Sequence, residues 1–330
     1  METEKASTRS SKASSFPRSD FDLALTLRSG QVFRWAALRG GSFGGWIDGS
    51  FTRVSQEGDH LLVRGASRES ARNFFSLDLD LPAITRQFDV DPVIREALRR
   101  YPGLRVIRQD PWECTASFLL SAYNNIPRLT GMLETLSQKF GTAAAGEACF
   151  AAARGRVSEL RGTSGSFCPD DPSTRSDRAR TNPLSGGGGV HSFPRPERLA
   201  GVSERALRNC GLGYRAPYLK AVAEKVASGE VDLEKLRGVE DDDLRRALLA
   251  LPGIGQKVAE CVMLFAYARG AAFPVDVWIG RAMRAWYFRR RKVTDRKIRV
   301  FARKHFGPAC GWAQQYLYCF ARWNSAALFV

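Results

Sequence analysis

Two residues frame the chemistry. Lys257 closes the run Leu251-Pro252-Gly253-Ile254-Gly255-Gln256-Lys257, and Asp276 closes Phe273-Pro274-Val275-Asp276. Two glycines and a proline form a turn, and the apolar run after Gln256 reads as a helix with Lys257 in its first turn. Exposed amides at that helix start make an anion site, and Gly253 and Gly255 let the anion approach. In a chain of net charge +16 the expected anion is a DNA phosphate. The positive helix end disfavours an ammonium group, and partial burial does the same. Together they favour the neutral amine, which is a nucleophile. The plainer alternative is a solvated lysine that binds phosphate. Asp276 sits where the next helix opens. As its N-cap the carboxylate accepts backbone amides and stays ionised, and a cap alone is the plainer reading of it.

These residues need a scaffold. Asp242 and Asp243 start a helix whose stripe is Leu244, Leu248 and Leu249, so residues 242–283 read as helix, tight hairpin, helix, loop, helix. Upstream, FDLALTL at 21–27 alternates as a half-buried strand does. RSGQVFRW at 28–35 reads as a turn and a second strand-like run, and strands separated by Gly turns continue to residue 66. Helices follow: one from Ser67, one over 93–100, and two within 109–141 joined at Tyr123-Asn124-Asn125-Ile126. Gly211, Gly213, Tyr214 and Arg215 make a tight turn into another helix, a short helix covers 232–237, and GPACGWAQQYLYCFARW is a terminal helix. The expected class is α+β: an N-terminal antiparallel sheet domain followed by two mainly helical subdomains, with a helix-hairpin-helix and a Gly/Pro-Asp motif. The expected divisions are a disordered Ser/Lys/Arg-rich tail over 1–18, a sheet domain with flanking helices over 19–108, and a helical domain over 109–330. Residues 163–190 form a low-complexity insert that cannot bury a core.

Composition narrows the class. The chain has 330 residues, 44 % hydrophobic and 25 % charged, ordinary for a globular protein. The positive charge points to nucleic acid rather than a membrane, since no lipidation motif and no run of 18 apolar residues occurs. Seven scattered cysteines without a Cys-x-x-Cys pair point to reduced thiols inside a cell and against an iron–sulfur cluster. Three distant histidines give no zinc signature, so no metal ligands are assigned. Beyond Met283 the chain is strongly basic, with Trp286, Tyr287, Phe288 and Phe301 interleaved, which reads as a packed helix with one basic side partly facing DNA.

The segments SGQVFRW, RQDPWECTASFLLSAYNNIPRLTGM, GLGYRAPYL, LPGIGQKVAEC, PVDV and GPACGWAQQYLY together resemble the 8-oxoguanine DNA glycosylase/AP lyase family of helix-hairpin-helix glycosylases, from about residue 20 to 325. The resemblance implies an active site in the cleft between two helical bundles. It implies excision of 8-oxoguanine from duplex DNA opposite cytosine, then strand cleavage through a lysine Schiff base. Lys257 becomes the nucleophile and Asp276 its partner. The flipped base lies between Tyr318 and Cys261, with Cys261 forming an ion-pair-like contact to Lys257. Gln314 binds the pairing edge, Pro274 lines the pocket, and the Gly30 carbonyl accepts the N–H that oxidation adds to guanine. Arg128 and Arg215 donate to the opposite cytosine, Tyr214 wedges beside it, and Asn124 and Asn125 lie at the same junction.

The chain also departs from the family. Tyr123 stands where an asparagine fills the gap, Trp278 where a histidine touches phosphate, and Ala321 where an acidic residue joins the pocket. No cofactor is implied, though the hairpin carbonyls could hold a structural cation. The implied partner is double-stranded DNA containing oxidised guanine, bound by a monomer in a bacterial nucleoid or a nucleus. Two alternatives differ in chemistry. A monofunctional alkylpurine glycosylase would use water as nucleophile, against which Lys257 and Gln314 argue. A non-enzymatic hairpin module would need neither Asp276 nor an aromatic pocket.

Overall fold

The computed structural model describes residues 13–17, 20–144 and 190–324. The insert from 163 to 189 and the tail, apart from its residues 13–17, lie outside the described residues.

A five-stranded antiparallel sheet opens the chain, in the order β1-β5-β4-β3-β2. Its strands are β1 (Ser14–Pro17), β2 (Ala36–Ala37), β3 (Phe43–Ile47), β4 (Ser50–Glu57) and β5 (His60–Arg64). Strand β1 falls in the tail expected to be disordered. It pairs with β5, Ser14 opposite Val63 and Pro17 opposite His60, and buries Phe16. Arg68 lies 4.5 Å from the Phe16 ring centroid and donates to Ser15 O at 2.9 Å, which anchors this edge strand.

The segment 21–27 is not the expected strand. It forms helix α1 (Leu23–Arg28), capped by Asp22, whose side chain accepts from Leu25 N at 2.8 Å. Alternation over seven residues also places Leu23 and Leu27 four apart, so it cannot exclude a helix, and the cap decides. The second strand-like run fails too. Only Ala36–Ala37 joins the sheet, and residues 29–35 form a strap held by the fully buried Gln31. Its amide donates to Thr26 O at 3.2 Å and Arg105 O at 2.8 Å, and its Oε1 accepts from Ile107 N at 2.8 Å.

The helices that follow are α2 (Arg68–Phe74), α3 (Leu81–Arg86), α4 (Pro92–Arg100), α5 (Pro111–Leu120), α6 (Ile126–Phe140), α7 (Pro196–Ala200), α8 (Glu204–Leu207), α9 (Ala216–Ala227), α10 (Asp241–Leu249), α11 (Gln256–Phe265), α12 (Val277–Trp286), α13 (Asp295–Phe306) and α14 (Cys310–Trp323). Between α9 and α10 a single 3-10 turn, Lys235–Gly238, replaces the expected short helix. The sheet, α1 and α2 share one apolar core, which includes Val54, Leu61, Val63 and Phe75. The other helices share a larger one. Helix α5 joins α11 through stacked Phe118 and Phe265, 5.5 Å between centroids, and through Gln109 N on Phe265 O at 2.7 Å. Helix α14 is buried along most of its length and ties the domains together. Gln315 donates to Ser29 O at 2.9 Å and Tyr316 to Leu104 O at 3.0 Å.

The aromatic residues beyond Met283 are packed as expected, Tyr287 and Phe288 lying 5.5 and 5.1 Å from Phe301. Part of the basic charge there is structural. Arg284 holds Asp295 at 2.7 Å and Arg303 holds the buried Glu260.

Candidate active site

The hairpin between α10 and α11 is pinned by buried Leu251 and Ile254, which leaves Gly253 and Gly255 exposed. Gly253 has φ +76, and a Cβ there would come within 2.7 Å of the Tyr218 ring, so a side chain is excluded twice over. Gly255 opens α11 without a side-chain cap, which leaves the first amides open to an anion. Lys257 is half-buried on the first turn. Its Nζ donates to Ser121 Oγ at 3.1 Å and lies 5.1 Å from the Phe118 ring centroid, so the end of α5 holds the amine.

Glu260 fixes the distance between this helix and the loop that carries Asp276. It is fully buried. Its Oε2 accepts from Phe273 N at 2.8 Å, and its Oε1 from Gln256 at 3.0 Å, Arg245 at 3.1 Å and Arg303 at 3.0 Å. A buried carboxylate with this many donors is satisfied, and removing it would take one acceptor from Arg245, Arg303, Gln256 and the Phe273 amide at once. Asp276 then caps α12, accepting from Ile279 N at 2.8 Å. Burial pushes its carboxyl up, and the Ile279 amide and the charge of Lys257 pull it back. Lys257 and Asp276 therefore lie within electrostatic reach of each other.

Cys261 faces the same side as Lys257. Burial pushes its thiol up to about 11, while the charge of Lys257 and a side-chain hydrogen bond to it pull it back. Pro274 is buried beside it on the loop.

Gln314, Tyr318 and Arg322 lie four residues apart on one face of α14, opposite the strap. Gly30 has φ +80, and a Cβ there would stand 3.1 Å from Tyr318 Cε1 and hydroxyl and 3.4 Å from Arg322 Nη1. The strap and Tyr318 are thus in contact. Burial pushes the Tyr318 hydroxyl up, with Arg322 opposing. Gln314 is buried, and among the described residues its Oε1 has no hydrogen-bond partner. A buried carbonyl of this kind has a free acceptor to offer a ligand.

On the outer side, the turn between α5 and α6 presents Tyr123, 97 % exposed at φ +52. Asn124 turns inward, its amide on Leu120 O at 2.7 Å, and Asn125 caps α6 by accepting from Arg128 N at 2.9 Å. Arg128 is exposed. Arg215 is not. It is buried, with Nε and Nη2 both on the Ala122 carbonyl and the guanidinium 4.4 Å from the Tyr214 ring centroid. Tyr214 itself is half-exposed. Trp278 is half-buried and packs in one small cluster with Ala282 and Ala321, so two of the departures from the family meet each other.

Sequence reasoning missed Gln31, Ser121, Glu260 and Arg322. Glu260 did leave a signal, as a lone acid inside the apolar stretch VAECVMLF. Arg322 left one as the next step in the spacing Gln314, Tyr318. Ser121 and Gln31 left none.

A helix-hairpin-helix facing a capped aspartate across an amine defines a class of base-excision glycosylases. Residues 116–308 match the family described as HhH-GPD superfamily base excision DNA repair protein, and residues 14–115 match the 8-oxoguanine DNA glycosylase N-terminal domain. The chain therefore belongs to the 8-oxoguanine DNA glycosylase family within the HhH-GPD superfamily. It is 29 % identical to N-glycosylase/DNA lyase OGG1 of Arabidopsis thaliana, over 91 % of this chain and 77 % of that protein. A Clostridium acetobutylicum 8-oxoguanine glycosylase/lyase, solved with double-stranded DNA containing cytosine opposite 8-oxoG, is 28 % identical. It superimposes with a TM-score of 0.77, covering 93 % of both chains. The structure of MBOgg1 in complex with a low affinity DNA ligand is 31 % identical, with a TM-score of 0.77 over 92 % of this chain and 93 % of that one.

Proposed function

We propose that this protein excises 8-oxoguanine from duplex DNA, with cytosine as the preferred opposite base, and then nicks the strand by β-elimination. The observation that carries the reading is the Lys257 amine, held by Ser121 within the field of Asp276 and near the pocket of Gly30, Gln314, Cys261 and Tyr318.

The Lys257 nitrogen attacks C1′ of the flipped nucleotide as the bond from C1′ to the base nitrogen breaks. The bonding pair leaves with the base, which takes up the proton that the Lys257 nitrogen sheds on bonding to C1′. Asp276 stabilises positive charge developing on the sugar. Opening of the sugar ring gives an imine between Lys257 and C1′. Loss of a C2′ proton then expels the 3′ phosphate, and water hydrolyses the imine to return the lysine. Lys257 and Asp276 are the groups of the chain that these steps use, and water completes the last of them. A structural cation on the hairpin carbonyls would serve only to hold the DNA backbone.

Selection of the base rests on hydrogen-bond polarity. The Gly30 carbonyl accepts the N7–H that oxidation creates, whereas normal guanine presents a lone pair there. A mismatch of this sort costs about 1–3 kcal/mol. Gln314 serves the pairing edge with its free Oε1. Outside the pocket, the open amides at Gly253 and Gly255 receive phosphate, Arg128 donates to the opposite cytosine, and Tyr123 and Tyr214 wedge into the stack. The place of work is wherever the chromosome is, nucleoid or nucleus.

Borohydride reduction tests the reading, because only an imine between protein and DNA is trapped. Wild-type protein on duplex with 8-oxoguanine opposite cytosine should give a covalent adduct and free base. Free base without adduct would instead assign water as the nucleophile.

A further inference from the structure

We propose that Arg322 is a specificity-determining residue of the base pocket, donating from Nη1 to the C8 carbonyl oxygen of the oxidised purine. The proposal rests on the reading of the pocket given above.

Three observations carry it. Arg322 supports the Tyr318 hydroxyl, yet among the described residues its buried Nη1 has no well-formed hydrogen bond. A buried guanidinium N–H without an acceptor is costly unless a ligand completes it. The same atom lies 3.4 Å from the point where a Cβ on Gly30 would be, which is the strap whose carbonyl is to read N7–H. Lastly, the strap cannot drift away from it: Gln31 and Gln315 hold residues 29–31 through buried bonds.

The lesion supplies the complementary pattern. On 8-oxoguanine the N7–H donor and the C8 oxygen acceptor are on adjacent ring atoms. A carbonyl acceptor at Gly30 beside a guanidinium donor at Arg322 matches that pair. Unmodified guanine has neither the N7–H nor the C8 oxygen, so the pair reads the oxidation twice. Arg322 lies along Tyr318, its Cζ 6.0 Å from the ring centroid, so a base stacked on Tyr318 would come within reach of it.

The test compares Arg322→Leu and Arg322→Lys with the wild type under single turnover. Opposite cytosine, Arg322→Leu should slow release of 8-oxoguanine by on the order of ten-fold or more, the size expected for losing one charged hydrogen bond. Release of 8-thioguanine, which keeps N7–H but offers a weak sulfur acceptor, should fall no more than about two-fold. Arg322→Lys should recover part of the loss. Borohydride trapping on DNA that already carries an abasic site has no base to read and reports whether the fold survives. Equal losses on both bases, or a loss of abasic-site trapping to match, would reduce Arg322 to a support for Tyr318 and overturn the proposal. So would unchanged release of 8-oxoguanine. If wild-type protein traps abasic DNA but releases neither base, the substrate reading fails first, and that outcome is distinct from the others.

Discussion

The proposed base pocket and the turn proposed to face the gap in the DNA are built in opposite ways. The pocket draws on distant parts of the chain, and a buried polar side chain locks each part: Gln31 for the strap, Gln315 for α14, Glu260 for α11 and its loop. The turn from Ser121 to Asn125 is local, carries an almost fully exposed tyrosine, and hangs on Arg215 through one carbonyl. Covalent chemistry at C1′ loses much of its rate when the reacting groups shift by an ångström, so rigidity is concentrated there. Filling a gap by stacking tolerates slack. Ser121 belongs to both regions. Its hydroxyl holds Lys257, and its neighbour's carbonyl holds Arg215.

If the contrast is right, the largest losses come from the pocket side. Lys257→Gln should abolish base release and trapping, by about three orders of magnitude or more, while lesion duplex still binds. Asp276→Asn keeps the cap but removes the charge, and excision should slow on the order of 100-fold with little change in melting temperature. A near-normal rate for Asp276→Asn would leave it a cap and nothing else.

Gly30→Ala strikes the strap. A Cβ at φ +80 costs roughly 1–2 kcal/mol, and it would stand 3.1 Å from Tyr318. Excision of 8-oxoguanine should fall about ten-fold, and trapping on preformed abasic DNA much less. Comparable losses in the two assays would mean that the strap supports the whole fold rather than the base. Arg215→Ala removes the donors on Ala122 O and frees the turn. Thermal melting should drop by a few degrees, about 1–2 kcal/mol, and duplex affinity should weaken by a few-fold. The rate of bound substrate should change least. A large fall in that rate at unchanged affinity would make Arg215 part of the pocket.

How legible this was depended on where the signal is stored. Local chemistry read well: the hairpin around Gly253, the cap at Asp276, and the junction after α5 each follow from a few adjacent residues. The strand expected over 21–27 failed because alternation and a four-residue spacing coincide in so short a window, and only the Asp22 side chain separates them. The strap failed for a different reason. Gln31 is a polar residue buried by contacts with Thr26, Arg105 and Ile107, and no periodicity announces a residue whose partners lie up to 76 positions away. The hold of Arg215 on the Ala122 carbonyl was equally hidden, because its partner lies 93 positions earlier.

The smallest effect expected concerns the exposed side of the comparison. Tyr123 is 97 % exposed, so its side chain contributes almost nothing to the fold. Its backbone lies at φ +52, a conformation that asparagine adopts more readily than tyrosine. Tyr123→Asn should therefore leave melting unchanged or raise it slightly, by up to about 1 kcal/mol. Its functional effect lies in the opposite base. A tyrosine ring in the gap stacks on either neighbour regardless of identity, whereas an asparagine offers a paired donor and acceptor. In the proposed reading Arg128 still donates to cytosine's acceptors and disfavours the amino group of adenine. The wild type should then prefer cytosine by a moderate margin, and Tyr123→Asn should widen it by a few-fold, on the order of 1 kcal/mol. Single-turnover excision opposite each of the four bases measures this. A cytosine-to-adenine ratio that stays the same or falls in Tyr123→Asn would show that Tyr123 does not occupy the gap, and that the slack turn has a different use.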